Sequence, residues 1–155
     1  MSLLQTLWGL LLWVLYPLWL LAGAIDYVCH RRTNIEHTSG ATESLLHLAQ
    51  FAALLLSLTA GSYIGFAVAH EAQTGVGFDI AFAVGFLVVA ASTLITDPRQ
   101  ALTVLALAFA AHAVIDVAHR PGLLPDGIAP RWYLIGCATY DVYIGALCYL
   151  PILRR

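Results

Sequence analysis

The sequence predicts an all-α integral membrane protein, a polytopic bundle of about five transmembrane helices. Hydrophobic residues make up 61% of the 155 residues and charged residues only 10%, whereas soluble domains carry about 25% charged residues. The mean hydropathy is +0.83, and the apolar residues form stretches that approach the ~20 residues needed to cross a bilayer as a helix. A membrane-spanning barrel is not predicted, because it would need strands of alternating polarity, and the sequence has no such pattern.

Five apolar segments are expected to form a single transmembrane domain over residues 1–155. The predicted spans are residues 3–28, 44–69, 77–96, 101–118 and 132–153. The first is too long for the apolar region of a signal peptide and follows no positive charge, so it is interpreted as a retained helix. Between the later spans lie turn-forming stretches such as "TDPRQ" and "HRPGLLPDGIAP".

The basic residues predict the orientation in the membrane. All seven are arginines, and with the amino terminus outside, five lie on the inner side and only Arg120 and Arg131 on the outer side. The carboxyl terminus is therefore expected in the cytoplasm, with the chain in a bacterial inner membrane. A net charge of −2 without a basic stripe indicates no nucleic-acid partner, so the expected partner is the lipid bilayer.

A first group of ionisable residues lies in "DYVCHRRTNIEHTSGATESLLH", residues 26 to 47. Asp26 and His30 end the first span, and Glu43 and His47 begin the second, each pair at a spacing of four that shares one helical face. Carboxylates and imidazoles on facing helices are typical of di-metal bundles and suit iron, manganese or zinc. The alternative is that Glu43 complements the helix dipole and that Asp26 pairs with His30 at the membrane interface.

A second group lies in "HAVIDVAH", where His112, Asp116 and His119 are predicted to share one face of the fourth span. Asp141 lies at a matching depth of roughly 12–14 Å in the fifth span, so it is expected to meet His112. His70 falls on the same side of the membrane and completes this candidate metal set. Ionisable residues at such depth are costly and indicate function. A proton path and a His–Asp bond that locks the last hairpin remain alternatives.

Two cysteines and one further aspartate lie near this second group in the predicted bundle. Cys137 and Cys148 flank Asp141 along the last span, but they follow no metal-binding spacing, so buried thiols are expected. Asp79 falls on the same side of the membrane. Three predicted crossings separate His47 from His112, which places the two groups at opposite faces, where they could not share a metal. The alternative is that segment 77–96 is re-entrant, in which case the two groups could converge.

Two resemblances to membrane families follow from these motifs. The "DYVCHRR", Glu36, "ES" and His47 pattern resembles a group of bacterial integral membrane proteins of unassigned function, over about a third of the chain. That resemblance implies a membrane di-metal protein, although the chain departs from the pattern after about residue 50. The carboxyl-terminal half, with "HAVIDVAH" and "PRWYLIGCATYD", resembles another small membrane family. Neither resemblance implies an assigned reaction.

Three functions remain open from the sequence. The first is a metal-dependent enzyme, with non-haem iron or zinc, that acts on a lipid or another hydrophobic substrate. The second is a non-enzymatic subunit of a membrane complex whose histidines bind a cofactor such as haem. The third is a proton or metal transporter with the two groups at opposite faces.

Metal analysis of the purified protein distinguishes the two groups. If the first group binds metal, His47→Ala is expected to lower the metal content measured by mass spectrometry, because one imidazole ligand is lost. Unchanged metal in His47→Ala together with metal loss in His112→Ala would assign the binding to the second group.

Overall fold

The computed structural model describes residues 38–69, 76–124 and 129–153. Four helices account for nearly all of them: α1 (Thr38–Ala69), α2 (Val76–Thr93), α3 (Pro98–Ala118) and α4 (Arg131–Leu153). Within these three ranges there is no β-strand. Each helix contains a segment long and apolar enough to cross a membrane. The prediction of an all-α, polytopic membrane bundle is confirmed.

Four of the five predicted spans correspond to these helices. The main differences are at three boundaries: α1 begins at Thr38 rather than at residue 44, α2 ends at Thr93 rather than at residue 96, and α3 begins at Pro98 rather than at residue 101. These errors arise because apolar content was used to place helix ends, whereas backbone hydrogen bonding sets them. The predicted first span, residues 3–28, lies outside the described residues.

A short turn joins α2 to α3 through a capping aspartate. The Asp97 carboxylate accepts hydrogen bonds from the backbone N–H groups of Arg99 at 3.0 Å and Gln100 at 3.3 Å. Pro98 occupies the first turn, where its missing N–H costs nothing. This cap fixes the residue at which α3 begins. The turn before it reverses the direction of the chain, so the end of α3 lies beside the start of α2.

The helices α2, α3 and α4 pack in sequence order, with α3 in contact with both neighbours. Leu102, Leu105 and Phe109 of α3 are fully buried. Gly145 of α4 lies so close to α3 that an added Cβ would be 3.3 Å from the carbonyl oxygen of Ala106 and 3.4 Å from the Cβ of Phe109. A small residue at this position lets the two backbones approach.

The outer surface of the helices is apolar. Large exposed side chains include Val68, Phe78, Val88, Leu107, Val114 and Val142. In water such a surface would aggregate, whereas in a bilayer it faces acyl chains. The distribution of side chains therefore agrees with the hydropathy of the sequence, because large apolar side chains face outward and several polar side chains are buried.

The chain divides into two compact units, Met1–Leu46 and His47–Arg155. The interactions described below all lie in the second unit. The organisation of residues 1–155 as a single domain stays a prediction.

The close approach at Gly145 predicts a position-specific loss of stability. Gly145→Leu is expected to reduce the free energy of unfolding in detergent by about 1–3 kcal/mol, the usual cost of overpacking. Gly136→Leu is the matched control on the same helix, because an added Cβ there meets nothing within 4 Å. Equal stability of the two variants in a denaturant titration would show that the α3–α4 contact does not constrain the bundle.

Candidate metal centre

The core of the second unit contains an unusual number of ionisable side chains. Each is at most 7% exposed, and the set comprises Asp79, His112, Asp116, His119 and Asp141. A charged or polar group is tolerated inside an apolar bundle only when it is paired or hydrogen-bonded. The hydrogen-bond partners of each side chain therefore show how its burial is stabilised and whether it could still bind a ligand.

His112 lies between two carboxylates. Its Nδ1 is 2.7 Å from Oδ2 of Asp141 and 3.4 Å from Oδ2 of Asp116. Asp116 is four residues along α3 from His112, and Asp141 projects from α4 across the helix interface. The structure thus places His112 against Asp141, as their matching depths predicted.

Cys137 joins these residues from α4. Its thiol is 3.9 Å from Oδ2 of Asp141, which lies one helical turn further along. His112, Asp116, Cys137 and Asp141 each offer a ligand atom, and these four atoms all lie within 4.8 Å of one another. We refer to these four residues as the central cluster.

Cys137 was predicted from the sequence to be an ordinary buried thiol, so its place in the central cluster was missed. The available signal was its spacing of four from Asp141, which puts both side chains on one face of α4. Cys148, seven residues beyond Asp141, is fully buried but lies outside the cluster.

α1 contributes a tyrosine to the central cluster. The Tyr63 hydroxyl donates a hydrogen bond to Oδ1 of Asp116. The neighbouring Ser62 hydroxyl is hydrogen-bonded to the hydroxyl of Tyr133 on α4. Consecutive residues of α1 are therefore tied to α3 and to α4. Sequence analysis missed Tyr63, because a tyrosine in an apolar span is ordinarily a packing residue.

His119 does not belong to the central cluster, although it was predicted as a metal ligand together with His112 and Asp116. Its backbone N–H still bonds to the carbonyl oxygen of Ile115 at 3.2 Å, and the ring of Tyr63 contacts both histidine rings. The spacing of seven, however, separates His119 from His112 by about 10 Å along α3. Nε2 of His119 instead lies 2.6 Å from Oδ1 of Asp79 on α2.

The His119–Asp79 contact is a second buried pair. Nδ1 of His119 lies 2.8 Å from the carbonyl oxygen of Ile115, which can only accept, so Nδ1 carries a proton. A second proton must then lie between Nε2 and the Asp79 carboxylate for the 2.6 Å contact to be a hydrogen bond. Asp79 thus has a defined partner that the sequence did not assign.

Five other residues were predicted as site residues, and none is part of the central cluster among the described residues. Asp26, His30 and His70 fall outside the described residues. Glu43 is exposed and His47 is half-buried. His47 precedes Tyr63 by sixteen residues on α1, which is about 24 Å along a helix. Because Tyr63 touches the central cluster, His47 is too far away to share a metal ion with it.

Three carboxylate oxygens in the core lack a hydrogen bond to any described residue: Oδ2 of Asp79, Oδ2 of Asp116 and Oδ1 of Asp141. Buried polar atoms are nearly always satisfied, and each exception calls for an explanation. Two of the three belong to the central cluster. That cluster therefore has capacity for a further hydrogen-bond donor or a cation.

Comparison of the chain with protein-family models, with curated proteins and with solved structures gives no match.

The bond from Tyr63 to Asp116 predicts a measurable contribution to stability. Tyr63→Phe is expected to lower the free energy of unfolding by about 0.6–2 kcal/mol, the range measured for hydrogen bonds between transmembrane helices. Tyr143→Phe is the matched control, because Tyr143 is 59% exposed. If both variants unfold at the same denaturant concentration as the parent protein, this bond does not anchor α1.

Proposed function

We propose that the protein is a membrane-embedded metalloenzyme that binds one metal ion at the central cluster, with zinc as the preferred metal. Its substrate would be a lipid or another hydrophobic molecule that reaches the cluster from the bilayer. The observation that carries this proposal is the convergence of an imidazole, two carboxylates and a thiol within 4.8 Å. Catalytic zinc sites use three protein ligands and structural sites use four, so this set is large enough for either kind of site.

The spacing of the ligand atoms supports a metal ion after a small adjustment. Tetrahedral zinc with bonds of 2.0–2.3 Å separates its ligand atoms by roughly 3.3–3.8 Å. The separations of 3.4 Å between His112 and Asp116 and of 3.9 Å between Cys137 and Asp141 are close to that range. The 2.7 Å contact between His112 and Asp141 would have to open by about 0.6 Å, and any separation near the 4.8 Å limit of the cluster would have to close by about 1 Å.

The charge of the cluster also favours a cation. Two carboxylates buried in an apolar bundle need two protons or two positive charges nearby, since an isolated buried charge is very costly. A protonated His112 balances only one of them. A divalent ion balances both and would also coordinate the oxygens of Asp116 and Asp141 that lack hydrogen bonds.

The ligand types favour zinc over harder metals. Carboxylates alone would suit magnesium, calcium or manganese, whereas the imidazole and the thiol favour zinc or iron. Zinc held by His112, Asp116 and Asp141 would keep a fourth position open, where it could activate water or polarise a substrate. Coordination by Cys137 as well would close that position and give a structural site instead.

A proton pathway is the second candidate function, and the His119–Asp79 pair favours it. The ring of Tyr63 lies between the two pairs, with its centroid 5.6 Å from the His112 ring and 5.5 Å from the His119 ring. A cavity of about 10 Å³ is lined by Tyr63, Asp79 and His112, among others. That volume is near the minimum for one water molecule, which would link the two pairs.

Replacing one carboxylate tests the metal centre. Asp141→Asn is expected to weaken zinc binding at least about tenfold, a loss that even a change beyond the ligands can cause. Asp79→Asn is the matched control: Asp79 is equally buried and also bonded to a histidine, but it is outside the central cluster. Metal content and zinc titration of the full chain in detergent give the measurement.

The outcomes separate the two candidate functions. Wild-type protein that binds no zinc or iron, or equal loss of metal in both aspartate variants, would contradict the metal centre. Proton flux into liposomes that is abolished by Asp79→Asn in metal-free protein would establish the proton pathway. Cys137→Ser, with Cys148→Ser as its control on the same helix, then shows whether the thiol is a ligand.

A further inference from the structure

A groove of about 340 Å³ runs along the outer side of α3 and α4. Small residues contribute to its lining on both helices, Ala106 and Ala110 on α3 and Gly145 and Ala146 on α4. Its volume lies at the lower end of the range for small-molecule sites, about 300–1,000 Å³. The groove is therefore large enough for one narrow ligand.

One end of the groove reaches the central cluster. Asp141 is the residue with a carboxylate in the groove lining, and this carboxylate lies 2.7 Å from Nδ1 of His112. A molecule in the groove would therefore lie beside a residue of the central cluster.

The other end lies near the membrane surface. Tyr149 lines it, eight residues beyond Asp141 on α4, which corresponds to about 12 Å along the helix. Thr103 lines the same end from α3, and its hydroxyl donates a hydrogen bond to the carbonyl of Arg99 at 2.9 Å. Arg99 is exposed and lies one turn earlier, at the start of α3.

The side walls are open to the bilayer. Leu107 and Val142 line the groove and are 68% and 63% exposed. In a transmembrane bundle this exposure is to lipid, so a ligand can enter sideways without crossing water. Arg99 does not line the groove, but it lies four residues before Thr103 and so shares the face of α3 that does. An apolar trough that ends at a tyrosine, with an arginine one turn beyond, complements a single alkyl chain that carries an anionic headgroup.

We propose that this groove binds a free long-chain fatty acid, with its carboxylate toward Arg99 and Tyr149 and its chain extended toward Asp141. This inference rests on the proposed function, because it names the substrate class of the same centre. The carboxylate would lie near the membrane surface, while a carbon well along the chain would lie beside the central cluster. The site would thus select a position on the chain by its distance from the headgroup.

Photolabelling of the full chain in lipid nanodiscs tests the groove. The probe is a long-chain fatty acid with a diazirine near the middle of its chain, about 12 Å from the carboxylate when extended, and the labelled peptides are identified by mass spectrometry. Labelling is expected at residues around Ala110 and Asp141. Ala110→Trp should fill the groove and lower labelling at least fivefold.

Ala111→Trp is the matched control, since Ala111 is an equally exposed neighbour on α3 that does not line the groove. Arg99→Gln should weaken competition by an unlabelled fatty acid and leave competition by the corresponding alcohol unchanged. Helical content and metal content of each variant are measured in parallel, so that a folding defect is recognised.

Three results would overturn the proposal. The first is an equal loss of labelling in Ala110→Trp and in Ala111→Trp. Labelling spread evenly over the exposed face of α2 would indicate surrounding lipid only. A photoactivatable phospholipid that labels the groove and is not displaced by fatty acid would assign the groove to bilayer lipid. Selective labelling in a protein without metal would support the groove and reject the metal centre, so the two failures are distinguishable.

Discussion

The contact between His112 and Asp141 joins α3 to α4 in the core of the described bundle, and the other buried polar contacts are arranged around it. Neither side chain can be left alone in an apolar bundle, and they lie on different helices 2.7 Å apart. Their pairing fixes the axial register of α4 against α3. At the same register Gly145 meets the backbone of α3, so a polar bond and a close apolar contact specify one arrangement together.

The other polar contacts extend this arrangement to all four described helices. Tyr63 connects α1 to Asp116, and His119 connects the end of α3 to Asp79 on α2. Between helices in lipid there is little hydrophobic driving force, since the acyl chains are as apolar as the side chains. Specific hydrogen bonds and small-residue contacts therefore do much of the positioning. The same bonds gather ionisable groups whose oxygens are incompletely satisfied.

Asp141 connects the two proposals. Its Oδ2 atom contacts His112 and Cys137 inside the bundle, while the residue also lines the groove that opens to lipid. A metal centre closed on all sides by packed helices would be structural. A centre that shared one residue with a lipid-facing groove would have a route by which a hydrophobic substrate could reach it, and the proposal of an enzyme rests on that geometry.

The class of protein, the four described helices and the meeting of His112 with Asp141 could be predicted from the amino-acid sequence. These follow from hydropathy and from counting residues inward from a turn, because helical rise is constant. The folded structure was needed to show that His119 pairs with Asp79 on α2. It was also needed to show that Cys137 joins the central cluster and that Tyr63 bonds to Asp116. Packing between helices brought them there, and spacing along one helix cannot report which neighbour a face meets.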